Sequence, residues 1–75
     1  MSLDEAARQL KLAVHDAQVA FDCLGLGDLE RAHEHAITAR AAMDAATLAV
    51  QEAQRTMTPE EATREGEHAV AALEE

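Results

Sequence analysis

Aromatic residues are nearly absent from this chain of 75 residues: Phe21 stands alone, with no Trp or Tyr. Stacking against a base or a planar cofactor therefore has one candidate side chain, and no cofactor is expected. Basic residues are scarce too, six Lys and Arg against fifteen Asp and Glu, for a formal charge of −9. Phosphate-directed binding of nucleic acid needs clustered cations, so nucleic acid is not an expected partner. The single cysteine, Cys23, excludes an internal disulfide and a cysteine-based zinc site. Apolar runs are only a few residues long, which excludes a transmembrane helix, so no membrane partner is expected. Asp4 and Glu5 stand where a signal peptide would carry positive charge, so none is expected. The expected setting is the cytoplasm.

What is abundant is alanine, eighteen residues of it, so much of the 48% hydrophobic content is single methyl groups. The apolar pattern is helical throughout and predicts one all-α domain over 1–75, with helices at about 3–24, 28–57 and 59–74. Ser2, with Glu5 three residues on, reads as a capping box opening the first helix. Leu3, Ala7, Leu10, Val14, Ala17, Phe21 and Leu24 then recur at spacings of four and three, a heptad seam. Gly25-Leu26-Gly27-Asp28 breaks it: one glycine suits a left-handed helix end, and Asp28 suits the next N-cap. The second seam is Leu29, Ala32, Ala36, Ala39, Met43, Ala46, Val50, Ala53 and Met57, on a helix of about 45 Å. Thr58, Pro59 and Glu61 start the third helix with another capping box and a proline in the first turn. Its stripe is Ala62, Gly66, Ala69 and Leu73.

These signals predict a long antiparallel helical hairpin with a shorter third helix. The third helix is expected to return along the Met43–Met57 half of the second, with Gly66 at the closest approach. That leaves two helices at the turn end, with Phe21, Leu24, Leu29 and Ala36 open to water there. Leu12, Val19, Ile37 and Leu48 lie off the seams as a surplus of apolar side chains. Both features predict self-association, a dimer that completes a helical bundle, with interface residues Val19, Phe21, Leu24, Leu29, Ala36 and Ile37.

Catalytic signals are wanting, and no enzyme activity is expected. Cys23 has His15 two turns back but no third residue at a useful spacing. Gly25-Leu26-Gly27 lacks the strand, third glycine and lysine of a phosphate loop. Glu-x-x-His occurs twice, at Glu30/His33 and Glu65/His68, and residues three apart share a helix face. Carboxylate-bridged di-metal bundles use two such pairs projecting into the core, so a metal-binding bundle is an alternative reading. No Asp or Glu occupies either seam, which argues for solvated pairs and no metal. His33 and His35 are two apart and point to nearly opposite sides of the helix. Closing the hairpin at Leu26 sets His15 level with Ile37, within a turn of His35. A further alternative is an acidic, inhibitor-like or antitoxin-like protein for a basic partner, using Asp22, Asp28, Glu30 and Glu34 around the turn.

The run Leu24-Gly25-Leu26-Gly27-Asp28-Leu29-Glu30-Arg31-Ala32 resembles the middle of a tetratricopeptide repeat, with small residues at Ala20, Ala32 and Ala39. The resemblance spans residues 16–44. Asp16 stands where that pattern has a large aromatic, Cys23 where it has Tyr, and Asp44 where it has Pro. It implies a helical hairpin and protein binding, and it identifies no ligand residues. The function expected from the whole is a small acidic protein–protein interaction module.

Overall fold

Three helices account for nearly all of residues 3–74, which the computed structural model describes: α1 (Asp4–Gly25), α2 (Leu29–Thr56) and α3 (Pro59–Leu73). Their ends follow local chemistry. At the first turn Gly27 takes the left-handed conformation (φ 75°). Its N–H reaches the Leu24 carbonyl at 3.0 Å and the Asp28 N–H reaches the Cys23 carbonyl at 2.9 Å, the two bonds of a Schellman motif. Asp28 Oδ1 then accepts from the Arg31 N–H at 3.1 Å and caps α2. At the second turn Thr58 and Glu61 form the reciprocal capping box, at 3.2 and 2.8 Å, with Pro59 in the first turn. Ser2 lies outside the described residues. Leu3 holds the N-cap position of α1, with no side-chain cap.

α1 and α2 pack as the antiparallel hairpin. α1 turns a different face inward from its expected seam, while Ala32, Ala39, Ala46 and Ala53 of the expected α2 seam do lie inward. The inner row of α1 is Ala6, Ala13, Asp16, Ala20 and Cys23, and that of α2 is Ala32, His35, Ala39, Ala42, Ala46, Ala49 and Ala53. Both rows keep heptad spacing. On α1 the inner row sits one residue, about 100°, around the helix from the expected seam. Among the described residues every buried apolar residue is alanine: Ala6, Ala13, Ala42, Ala46, Ala53 and Ala69. The physical reason is distance. Methyl groups on both sides let the backbones approach closely, whereas Leu and Phe at the same positions would hold them apart. The large side chains of the α1 seam are thereby displaced onto an outer face.

The position of α3 also corrects the expectation. It packs on α1 and makes little contact with α2. It runs parallel to α1: Gly66 lies against Leu3, whose Cδ1 would be 3.7 Å from an added Cβ, and Lys11 Nζ donates to the Leu73 carbonyl at 2.6 Å. Met57 and Thr58 are both extended (ψ 144° and 161°) and carry the chain across the open end of the hairpin. α3 thus reaches the far side of α1, where Ala69 is buried. The closest approach at Gly66 is to α1, not to α2.

The helices therefore stand side by side, α2–α1–α3, instead of enclosing a triangular core. The molecule measures 46 × 26 × 13 Å, twice as wide as thick. Its radius of gyration is 14.6 Å, against about 11 Å for a globular chain of this length. Among the described residues no helix is long and apolar enough to cross a membrane.

Candidate functional site

Two features stand out on this layer: an uncovered apolar face and a buried polar pair beneath it. The face is built by the rows that the sequence pattern marks as seams. From α1 come Leu10, Val14, Phe21 and Leu24, and from α2 come Leu29, Met43 and Val50, all exposed. Val14 and Phe21 are about as open as side chains on a helix become, at 70% and 71%. Between the helices near the turn runs a groove of about 410 Å³. Ala17, Ala20, Ala32, Ala36 and Ala39 form its floor, and Phe21 and Leu24 stand at its rim. Further grooves continue along the same face past Leu10 and Val50 to Leu3 and Met57. No Asp or Glu lies in either row or lines any of these three grooves, on a chain with charge −9.

The expected interface residues divide accordingly. Phe21, Leu24, Leu29 and Ala36 share this face. Val19 is half-buried and lies about 200° around α1 from Phe21, so it belongs to the other side of the layer. Ile37 is exposed on the outer edge of α2, about 100° from Ala36. Leu12 and Leu48 are exposed as well.

The polar pair is Asp16 and His35. His35 Nδ1–H donates to Asp16 Oδ1 at 3.0 Å across the hairpin. Asp16 is only 5% exposed, and its Oδ2 has no hydrogen-bond partner among the described residues. A carboxylate thus sits in the inner row after all, between Ala13 and Ala20. The Asp16–His35 contact agrees with the register expected from closing the turn at Leu26, and it brings Asp16, the neighbour of His15, to His35. A signal for it existed: Asp16 continues the three–four spacing of Ala13 and Ala20, and His35 continues that of Ala32 and Ala39.

The histidine–carboxylate pairs do not converge. Glu30 and His33 lie at the turn end of α2, whereas Glu65 and His68 lie on α3, beside the first half of α1. The span of α1 from Lys11 to the turn separates them by about 20 Å. Among the described residues no group of three His, Cys, Asp or Glu is placed to hold a metal ion. Asp22, Asp28, Glu30 and Glu34 do cluster around the turn, but Asp28 is engaged as a cap and with Arg31, and Asp22 accepts from Gln18 Nε2 at 2.9 Å. Two exposed glutamates titrate below their usual range. Hydrogen bonds from Gln9 and Arg8 lower Glu5, and those from the backbone and side chain of Thr58 lower Glu61. Both are helix-end features remote from the groove.

No family model, no curated protein and no solved structure matches this chain.

Proposed function

We propose that this chain is a protein–protein interaction module that acts by self-association, with the carboxylate-free apolar face as the surface that docks a second copy. The single observation carrying this reading is the area left in water. The chain exposes 5545 Å², whereas a globular monomer of 8.1 kDa exposes about 4,500 Å². The excess, about 1,000 Å² per copy, is close to the roughly 800 Å² per partner of a standard stable interface. Charge supports the choice of a second copy. Two chains at −9 repel one another on most approaches, and the apolar face is where that repulsion is least. Binding without catalysis, in a reducing cytoplasm that suits the unpaired Cys23, completes the reading.

Sedimentation at tens of micromolar tests it. Wild type is expected to run as a dimer, Phe21→Asp as a monomer, and Ala71→Asp, an exposed change on α3, as a dimer. A monomeric wild type overturns the proposal.

A further inference from the structure

We infer that the alanine-floored groove between α1 and α2 receives the Phe21 ring of the second copy, so that each chain carries both an anchor and the socket for it. This rests on the self-association proposed above and specifies its contact.

Three observations lead to it. The groove is shallow and open, with an apolar floor of methyl groups that no side chain of its own chain covers. Phe21 is the one aromatic residue, and it stands at the rim, 71% exposed, where it gains almost nothing for the monomer. Ring and groove lie on the same face and within about one helical turn of each other. The last point matters for symmetry. A two-fold interface is self-complementary: if residue i meets surface j, then j meets i. A knob and a hole side by side on one face satisfy that condition, and one docking event seats two rings.

The sizes agree as well. An aromatic side chain buries about 150–250 Å², and Leu24, Leu29 and Val14 flank the groove to supply more. Aromatic anchors that a partner covers carry a large share of binding in protein interfaces. The groove contains no charged group, so neither ring loses a polar contact on entering.

The test fills the socket while keeping the anchor, and removes the anchor while keeping the alanine floor of the socket. Ala36→Phe places a ring in the groove from an exposed position on α2, and Phe21→Ala leaves the groove open. Each alone is expected to weaken dimerisation in sedimentation equilibrium at least roughly tenfold, the scale of losing a hot-spot contact. Circular dichroism checks that each retains its helix. An equimolar mixture of the two is then expected to recover association, because the ring of one chain meets the open groove of the other. If Ala36→Phe dimerises as tightly as wild type, or the mixture shows no recovery, the socket assignment is wrong while self-association stands. If wild type itself is monomeric, the underlying reading falls with it.

Discussion

Replacing His35 and replacing Asp16 break the same hydrogen bond, yet the two changes are expected to have opposite consequences. His35→Ala leaves a carboxylate that is 5% exposed and whose second oxygen already has no partner. Leaving a buried acceptor without its donor costs about 1–3 kcal/mol, and more where the acceptor is charged. The His35 side chain is about a third exposed, which lets water reach the vacated position and sets the expected loss for this carboxylate at about 3 kcal/mol. For a domain of this size that lowers Tm by roughly 12–24 °C. Asp16→Ala does the reverse. It removes the buried charge, continues the row of Ala13 and Ala20, and substitutes the best helix former for a poor one. His35, about a third exposed, then hydrogen-bonds to water. The expected change is between neutral and about 1 kcal/mol more stable. The double variant is expected to behave like Asp16→Ala. Urea unfolding followed by circular dichroism, with every variant at one protein concentration, measures all three. Should Asp16→Ala destabilise the chain as much as His35→Ala, the view of Asp16 as a buried, poorly satisfied charge is refuted.

Two further outcomes concern α3. Gly66→Ala is expected to stabilise it by up to about 1 kcal/mol, since Ala is the better helix former. The added methyl meets only Leu3 Cδ1, at an ordinary 3.7 Å. Slower amide exchange along residues 62–73 would register the gain, and faster exchange would contradict it. Glu61 titrates below the usual glutamate range because it accepts from Thr58, so its contribution is full above that range and is lost as pH falls below it through the lowered folded-state value. Exchange protection at the start of α3 is therefore expected to fall below the usual glutamate range, and more steeply than in a Glu61→Gln variant.

Helix count, type and ends were largely readable in the sequence because they depend on local chemistry: Gly27 and Asp28 at one turn, Thr58, Pro59 and Glu61 at the other. The hairpin register followed from the short connection at Leu26. What failed was the choice of face. Period alone marks Leu3 through Leu24 as a seam, but α1 has a second row at the same spacing, and hydrophobicity ranks Leu and Phe above Ala. Packing reversed that ranking, since methyl rows on both helices permit the closest backbone approach. The same error hid Asp16, which looks like a solvated residue until Ala13 and Ala20 are taken as the inner row. The partner of α3 was missed for another reason. The capping box fixes where a helix starts, while the extended Met57 and Thr58 decide which side of the hairpin it reaches.

The division of labour between the two rows has a thermodynamic consequence. The inner row buries only alanine among apolar residues, and no large side chain is fully buried. Each methyl removed from water contributes little, about 0.8 kcal/mol, so the hairpin alone gains far less than a Leu-rich one. The larger apolar area lies in the outer row, and under the proposed self-association it contributes when a second copy covers it. On that proposal folding and association are linked, and stability is expected to depend on concentration. For a folded dimer that unfolds to two chains, a tenfold rise in concentration raises Tm by roughly 5 °C, given the enthalpy typical of two chains of this length. Thermal melts of wild type across a hundredfold concentration range are expected to show about twice that shift. Phe21→Asp, lacking the docking contact, is expected to melt lower and at a temperature independent of concentration. A wild-type Tm that does not move across that range would mean that the alanine rows suffice by themselves, and that the outer face plays no part in holding the fold together.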